Sequence, residues 1–333
     1  MVSRILTALI IVLGLSILSP AQQTACKTVE IPVGVMSMTG DGFRGLAAED
    51  FIAHVQKKQV AVKSLTYDDG PRRVLIVLDA NKKLSPDARK AEGEMVRTMI
   101  AAARPEDTFA LIPAHGNGKQ VKFTPDRSAI TLELGWDGGG SDGKELGVLD
   151  AVMTGIEWFG APQSGDAIVL IAADTEGNHK ANAKLVAKAL EEHHIRMFGL
   201  ALGPVQTKSS VAGGTMTSTT SQGLAYTKPL VGDGVYSTGD EHFFPLTANS
   251  GGLVFAAINT DTRRSYSMND ARVLQEIRQK ALAVSKMISA YYRMQIGPPP
   301  LTHPEAWSLE VNEEIRKHSQ PMVVLYPVEL GPC

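Results

Sequence analysis

A strong charge of either sign is absent from this chain of 333 residues, in which 33 lysines and arginines face 35 aspartates and glutamates for a formal net charge of −2. Proteins that bind nucleic acid or anionic membranes electrostatically need an excess of basic residues. We therefore expect neither kind of partner. Hydrophobic residues make up 44% and charged residues 20%, which is typical of a globular chain with a sizeable core.

Long hydrophobic runs are scarce as well, and the run that stands out is residues 5–18. It follows Arg4 and precedes Ser19-Pro20-Ala21, which is the order of a secretory signal peptide with small residues at the cleavage position. The run is shorter than the ~20 residues that cross a bilayer. We expect a signal peptide over 1–21, cleavage after Ala21, and a secreted or periplasmic mature protein with no transmembrane segment. The alternative is an uncleaved N-terminal anchor.

Cysteine is nearly absent, since Cys26 and Cys333 are the two in the chain. In an oxidising compartment we expect one disulfide to join them. The alternative is a lipidated Cys26, although Gln23-Thr24-Ala25 before it is polar where a lipid-attachment motif is aliphatic.

The middle of the chain, 71–290, alternates between apolar runs and helical patterns. Val74 to Leu78 is continuously apolar and ends at Asp79, which is typical of a strand buried on both faces. Ser85-Pro86-Asp87 is a helix start and predicts a helix from Pro86 to Ala103. We predict further strands at 108–113, 119–123, 167–172 and 195–202. We predict further helices at 146–159, 181–193 and 271–290. Such alternation indicates an α/β fold with a doubly wound, mostly parallel sheet.

The two ends of the chain, 22–70 and 291–333, read as β segments. Because they flank the α/β part, we expect them to pack together as one small β-sandwich-like domain. Antiparallel pairing of the first and last strands would also bring Cys26 close to Cys333. A Ser-, Thr- and Gly-rich insertion, 204–241, is expected to be flexible and disordered because so little of it is apolar.

A candidate ligand site lies where two aspartates follow core strands. Ligands of open α/β sheets bind beyond the carboxyl ends of the strands, where the strand order reverses. Asp79 ends the first core strand and Asp174 follows a later one. If these strands are neighbours, two carboxylates meet in the crevice and suit a hard cation such as Mg²⁺ or Mn²⁺. The alternative is that each aspartate caps a loop or a helix.

The order of these features resembles von Willebrand factor A domains, particularly the secreted type described in Acidobacteria. The segments that carry the resemblance are Gly42-Phe43-Arg44-Gly45-Leu46 with Asp50-Phe51, Val74 to Asp79, Ala167 to Asp174, Ser250-Gly251-Gly252 with Leu253-Val254-Phe255, and a helix ending in Tyr291-Tyr292. The resemblance covers nearly the whole mature chain. It implies a von Willebrand factor A-like domain at 71–290 that recognises a protein or a surface outside the cytoplasm and is not an enzyme.

The metal-ion-dependent adhesion site of that family consists of Asp-x-Ser-x-Ser, a distant Thr and a distant Asp. Asp79 and Asp174 match the two aspartates, but Asn81 and Lys83 stand at the serine positions and Ser141 is the hydroxyl nearest to the threonine position. A protonated lysine cannot ligate a cation, so the site is degenerate. The ligands that remain are Asp79, Asn81 and Asp174.

Lys83 is central to our hypothesis for this crevice. Its ammonium would lie between Asp79 and Asp174 and offset their repulsion, so that Lys83→Ser should create or strengthen Mg²⁺ binding. The alternative is a Lys83 that points into solvent. We expect an unidentified partner to bind the crevice around Asp79, Asn81, Lys83, Ser141 and Asp174, with the 204–241 insertion as the rival contact surface.

Two other function classes stay open. One is a purely structural envelope protein with no ligand. The other is a phosphohydrolase of the haloacid dehalogenase type with Asp79 as nucleophile. Such enzymes have Asp-x-Asp-x-Thr or Asp-x-Asp-x-Val. Here Asn81 replaces the second aspartate, which removes the general acid, and Lys83 stands at the last position of the motif.

Overall fold

The computed structural model describes the chain from residue 28 to residue 332 with several gaps. The described residues are 28–37, 40–80, 84–115, 118–134, 146–172, 180–201, 209–210, 215–219, 225–229, 234–235, 246–247, 249–256, 267–313, 315 and 322–332. The predicted signal peptide, Cys26 and Cys333 lie outside these residues. The signal peptide and the disulfide therefore stay predictions.

The secondary structure of the described residues contains both strands and helices. The strands are β1 (Val29–Ser37), β2 (Phe51–Val55), β3 (Lys58–Val60), β4 (Val62–Asp68), β5 (Arg73–Asp79), β6 (Thr108–Ala114), β7 (Val121–Thr124), β8 (Ala167–Ala172), β9 (Arg196–Ala201), β10 (Ser209–Ser210), β11 (Thr215–Thr219), β12 (Ala225–Pro229), β13 (Gly234–Val235), β14 (Val254–Ala256), β15 (Tyr291–Ile296), β16 (Glu305–Val311), β17 (Met322–Leu325) and β18 (Glu329–Leu330). The α-helices are α1 (Pro86–Ala102), α2 (Arg127–Glu133), α3 (Val148–Phe159), α4 (Ala183–Glu192) and α5 (Ala271–Ser289).

The central sheet has six strands in the order β14-β9-β8-β5-β6-β7. Its neighbouring strands are parallel, apart from the antiparallel pair of β6 and β7. The chain moves from β5 to β6 on one side and later continues from β8 to β9 on the other, so the strand order reverses between β5 and β8. The predicted α/β class with a mostly parallel sheet is confirmed.

Helices cover both faces of this sheet. One apolar cluster combines alternate strand residues with α1 and α5, and includes Val74, Ile76, Met95 and Ile277. A second cluster combines the intervening strand residues with α3 and α4, and includes Leu75, Val77, Val152 and Val186. Because successive side chains of a strand point to opposite faces, each central strand must be apolar throughout. This is the physical origin of the uninterrupted apolar run before Asp79.

Two further sheets contain strands from both ends of the chain. Their strand orders are β17-β1-β15-β4 and β18-β16-β2-β3. β1 is antiparallel to β15 on one side and to β17 on the other. A third apolar cluster contains residues of both sheets, including Val33, Ala53, Met294 and Leu309. The chain ends therefore pair with each other, while the domain boundaries and a separate sandwich-like domain stay predictions.

A buried polar network lies where the central sheet meets the sheet that contains β4 and β15. The Arg72 guanidinium, 1% exposed, donates to Asp68 Oδ1 at 2.9 Å. The Ser164 hydroxyl donates to Asp68 Oδ2 at 2.7 Å and lies 2.5 Å from the Tyr291 hydroxyl. The guanidinium carbons of Arg72 and Arg196 lie 4.7 and 4.0 Å from the centre of the Tyr291 ring. Paired charges and aromatic contacts of this kind offset the cost of burying two cations.

The same two arginines hold the end of α5. Arg196 donates to the carbonyl oxygens of Met287 and Ile288 at 3.3 and 2.9 Å, and Arg72 donates to that of Ser289 at 3.2 Å. Carbonyls in the last turn of a helix have no partner inside the helix, so these bonds satisfy them. Burial lowers the pKa of Arg196 to about 10, which leaves the guanidinium charged at neutral pH.

The position of Tyr291 and Tyr292 corrects one expectation from the sequence. The resemblance implied a helix that ends in these two residues. Instead α5 ends at Ser289, and both tyrosines lie at the start of β15 and are buried. The helix predicted from the apolar spacing, 271–290, agrees with the structure to within one residue at this end.

The insertion 204–241 contains more regular structure than its composition indicates. Thr215–Thr219 pairs antiparallel with Ala225–Pro229, and Ser209–Ser210 pairs antiparallel with Gly234–Val235. For these residues, the expectation that the insertion is disordered is corrected. Its flexibility stays a prediction. Threonine-rich stretches favour extended backbone because of their β-branched side chains, which gives a physical reason for the strands.

The turn between β2 and β3 offers a direct stability test. Gln56 and Lys57 have left-handed backbone, with φ of 51° and 63°. Two-residue hairpin turns of this kind favour Asn-Gly, because other residues adopt the conformation at a cost. We expect the double substitution Gln56→Asn and Lys57→Gly to raise the free energy of unfolding by about 1 kcal/mol. Urea denaturation measures the change, and a loss of stability would contradict it.

Within the described residues, no helix combines the length and the apolar character needed to cross a membrane.

Candidate functional site

The candidate site lies at the carboxyl ends of β5 and β8, which are neighbours in the central sheet. Leu78 is opposite Ile171 in the parallel register of β5 and β8, and Asp79 is opposite Ala114 of β6. The sequence expectation that the strands before Asp79 and Asp174 are neighbours is therefore met. Asp79 lies where the strand order reverses, which is the usual ligand position in open α/β sheets.

The other predicted site residues, Asn81, Lys83, Ser141 and Asp174, lie outside the described residues. The structure therefore neither brings them to Asp79 nor separates them from it. The Lys83 hypothesis and the proposed ligand set stay predictions. Among the described residues, β8 ends at Ala172, and the backbone N–H of Ala181 donates to Asp150 Oδ1 at 2.7 Å.

Asp79 is buried, with 1% of the residue's surface exposed. Its Oδ1 lies 2.9 Å from Nδ1 of His115, a residue that sequence reasoning missed. His115 follows β6 directly and has left-handed backbone with a φ of 53°. Its backbone N–H donates to the carbonyl of Leu146 at 2.7 Å, just before α3 begins. Two neighbouring strand ends and the start of a helix thus converge on one carboxylate.

A second carboxyl group lies near Asp79 on the buried side of α1. Glu92 is 6% exposed, and in the part of the chain that the structure describes no group hydrogen-bonds to its Oε1. Burial raises the pKa of Glu92 well above its usual range, and the negative charge of Asp79 raises it further against the opposing effect of Arg89. A neutral, protonated Glu92 avoids the cost of a second buried charge.

Glu92 gives a pH-dependent prediction for stability. Below about pH 4.3, the usual pKa of an unfolded glutamate, the Glu92 carboxyl is protonated in both the folded and the unfolded protein. In that range its ionisation does not change the free energy of unfolding. Above it, the unfolded state loses its proton first, so the wild type loses stability as pH rises, by at most about 1.4 kcal/mol per pH unit. Glu92→Gln removes this dependence of stability on pH, because glutamine does not ionise. We therefore expect the variant to gain stability relative to the wild type as pH rises from about 4 to about 7.

Urea denaturation of both proteins across that pH range measures the difference. The matched control is Glu106→Gln, since Glu106 is an exposed acid beside the amino end of β6. Its stability should follow that of the wild type at every pH. Parallel curves for Glu92→Gln and the wild type would mean that Glu92 is ionised in the folded protein.

The described residues around Asp79 supply few of the ligands that a hard divalent cation needs. Mg²⁺ and Mn²⁺ prefer oxygen ligands, whereas the described group in contact with Asp79 Oδ1 is an imidazole nitrogen. Among the side chains that the structure describes, no group of three or more His, Cys, Asp or Glu residues is arranged to hold a metal ion. The described part of the site therefore supplies one carboxylate whose Oδ1 is already engaged.

Sequence signals existed for both residues that were missed. His115 immediately follows an apolar strand that is parallel to β5, so its position at the same edge follows once the strand order is known. Glu92 lies one position after Ala91 and three before Met95, both buried in α1, so it breaks the apolar face of that helix. A charged residue on an apolar helix face is a recognisable departure from the expected pattern.

The segment Ser250-Gly251-Gly252 forms a tight contact beside β9. The Ser250 hydroxyl accepts from Met197 N at 2.9 Å and donates to the carbonyl of Thr247 at 3.0 Å. Gly251 has a φ of 77°, and a Cβ on Gly252 would overlap the backbone carbonyl of Met197. The two glycines are therefore required for different reasons, one for its backbone conformation and the other for space.

No protein-family model and no curated protein matches the chain. Among solved structures, the chain is similar to an aerotolerance-related membrane protein from Bacteroides fragilis, at 16% identity and a TM-score of 0.42, over 66% of this chain and 98% of that one. It is similar to BatB from Bacteroides thetaiotaomicron, at 17% identity and a TM-score of 0.40, over 66% of this chain and 98% of that one. It is also similar to the VWA domain of SpRpn10, at 11% identity and a TM-score of 0.30, over 40% of this chain and 76% of that one. Likenesses at this level assign neither a family nor a function to the chain.

Proposed function

We propose that this protein is an exported, non-catalytic module that recognises a protein or a surface outside the cytoplasm. In this proposal a von Willebrand factor A-like domain carries the recognition site, and both chain ends form a small β-sandwich-like domain beneath it. The observation that carries the proposal is the position of Asp79 at the reversal of strand order, between the carboxyl ends of β6 and β8. The sequence resemblance assigns recognition to this edge of the sheet.

The environment of Asp79 supports a non-catalytic role. A carboxylate nucleophile must reach the substrate, whereas Asp79 is 1% exposed and engaged with His115. In this proposal Asp79 therefore acts by positioning the end of β5, and the groups that touch the partner lie around it. A hydrolase nucleophile turn has the sequence motif Gly-x-Ser-x-Gly, which is matched by Gly139-Gly140-Ser141-Asp142-Gly143. That motif requires a strand directly before it, and the described element before these residues is the helix α2.

The crevice and the insertion both belong to one edge of the central sheet. β9 ends at Ala201 at the same edge as Asp79, because β5, β8 and β9 are parallel. The strands β10 to β13 follow from this point in the chain. The insertion therefore leaves the sheet at the edge that carries Asp79, and the proposal keeps it as the rival contact surface.

Capture of a partner from cell-envelope extract tests the proposal. The immobilised full chain is compared with Asp79→Asn, with a deletion of 209–235, and with Glu106→Gln as the matched acidic control. We expect Asp79→Asn to weaken capture of a specific partner at least about tenfold, equivalent to 1.4 kcal/mol, and Glu106→Gln to leave it unchanged. Loss of capture in the deletion alone assigns the contact to the insertion.

Two outcomes would contradict the proposal. Absence of specific capture by all four proteins favours a purely structural envelope protein. Hydrolysis of a phosphate monoester that Asp79→Asn abolishes favours the phosphohydrolase alternative.

A further inference from the structure

The edge strand β14 carries an inference about the role of the 204–241 insertion. β14 is the last strand of the central sheet on one side, and its hydrogen-bonded neighbour among the described strands is β9. Gly199 N donates to the Leu253 carbonyl at 2.8 Å, so this carbonyl points toward β9. Because successive carbonyls of a strand point to opposite sides, that of Val254 points away from β9, toward the open edge of the sheet.

The open edge of β14 is covered in the folded chain. Val254 and Phe255 each have 0% of the residue's surface exposed, main chain included. The side chain of Phe255 packs in the apolar cluster with α5, and that of Val254 packs in the cluster with α3 and α4. Packing on the two faces does not bury peptide groups that point to the edge. A further part of the chain must therefore lie against this edge.

The described strand that comes close to β14 from outside the central sheet is β12 of the insertion. Cα atoms of the two strands lie within 8 Å of each other. β12 is hydrogen-bonded to β11 and belongs to a separate sheet from β14. Helices occupy both faces of β14 and β9 occupies one side, which leaves the open edge as the side that β12 approaches.

The strand pairs of the insertion share one register. Ser210 pairs with Gly234, and Thr215 pairs with Pro229. The segments between these pairs, 211–214 and 230–233, have equal lengths, so β10–β13 and β11–β12 follow the same antiparallel alignment. A two-stranded ribbon has little stability of its own in water. Contact with β14 therefore supports β12 as well as covering the edge.

The opposite edge of the central sheet is protected in another way. β7 carries the exposed Lys122 and has an irregular register with β6, and both features hinder pairing with a further strand. The residues of β14, Val254–Ala256, include no charge and no proline, and they pair with β9 in a regular register. Such an edge accepts another extended strand once it is uncovered. A second copy of the chain carries the same edge and can pair with it symmetrically.

We propose that β12 covers the open edge of β14 and so prevents a second copy of this chain from pairing with the central sheet. The insertion then acts within its own chain, as the protection of an edge that lacks protective residues. This inference goes beyond the proposed function and does not depend on it, because it concerns the sheet edge at β14 and not the crevice at Asp79.

Sedimentation velocity tests the inference on the full chain and on a variant with a Gly-Ser linker in place of 209–235. We expect the variant to self-associate more strongly than the full chain as the concentration rises through the micromolar range. A variant that self-associates no more than the full chain overturns the inference.

Hydrogen exchange at residues 253–256 identifies the surface that is responsible. In the dilute linker variant we expect faster exchange there than in the full chain, because the cover is gone. At high concentration the exchange should slow again, because a second copy then occupies the edge. Self-association that leaves exchange at 253–256 unchanged overturns the inference, as does equal exchange in the dilute variant and the full chain.

Thr217→Pro tests the role of the ribbon without a deletion. Thr217 is opposite Thr227 in the pairing of β11 with β12, and proline lacks the N–H that strand pairing uses. Thr217→Val is the matched control, because valine favours a strand. We expect the proline variant to show faster exchange at 253–256 and stronger self-association, and the valine variant to match the full chain. Equal exchange at 253–256 in these two variants overturns the inference.

Discussion

Arg72→Ala is expected to lower the free energy of unfolding by about 3 to 5 kcal/mol, because removing one partner of a buried ion pair leaves the other charge uncompensated. Arg72 is 1% exposed and Asp68 11%. The substitution also removes the donors to the carbonyls of Asp68 and Ser289, and leaves a cavity beside the Tyr291 ring. Each of these losses destabilises the same junction between the central sheet and β15.

Urea denaturation followed by circular dichroism measures the loss. The matched control is Arg272→Ala, at an exposed position of α5, which should change stability by less than about 0.5 kcal/mol. A double variant that also carries Asp68→Ala should recover part of the loss, since it removes the uncompensated charge. A loss below about 1 kcal/mol in Arg72→Ala would mean that Arg293, 3.3 Å from Asp68, takes over the pairing.

Gly252→Ala is the second substitution with a large expected effect, a loss of about 3 kcal/mol. The added Cβ would meet the backbone carbonyl of Met197 in β9, which cannot rotate away as a side chain can. Either β9 or the segment before β14 must shift. The bond from Gly199 N to the Leu253 carbonyl, 2.8 Å long, lies beside this contact and should weaken as well.

Gly93→Ala is the matched control, because it adds the same methyl group at a tolerant place. Gly93 lies within α1, and its added Cβ would meet the Arg97 guanidinium, the far end of a flexible side chain. Alanine favours a helix interior over glycine by about 1 kcal/mol, so this variant should be more stable than the wild type. Thermal unfolding of both variants measures the contrast. Equal stability of the two variants would contradict the close approach at Gly252.

The sequence predicted the central sheet well because its strands are buried on both faces. A continuous apolar run such as Val74 to Leu78 has few other interpretations once a helix start follows it. The helix predicted from Pro86 to Ala103 ends at Ala102. By contrast, α2 was not predicted, since Ile130 is its one buried residue and the helix is short. A pattern needs several buried positions before its period can be read.

The candidate site was predicted less completely than the fold. Asp79 was found because it ends an apolar strand, and strand order could be anticipated from connectivity rules. His115 and Glu92 were missed because their role depends on contacts across the sheet, and neither belongs to a motif. The apolar spacing predicted the end of α5 to within one residue, whereas the resemblance extended the helix to Tyr291-Tyr292. Polar contacts between residues far apart in the chain cannot be recognised from a short stretch of sequence.

The pairing of the two chain ends sets an order of events during synthesis. The Tyr292 hydroxyl donates to the Phe43 carbonyl across a separation of 249 residues. At elongation rates of ~5–20 residues per second, β1 waits for ten seconds or more before its neighbours β15 and β17 emerge. The strands and helices of the central sheet can associate during this interval, because they are complete once α5 has been made. The outer sheets therefore close last, and a chain cut short before β15 exposes the apolar side chains of β1 to aggregation and proteolysis.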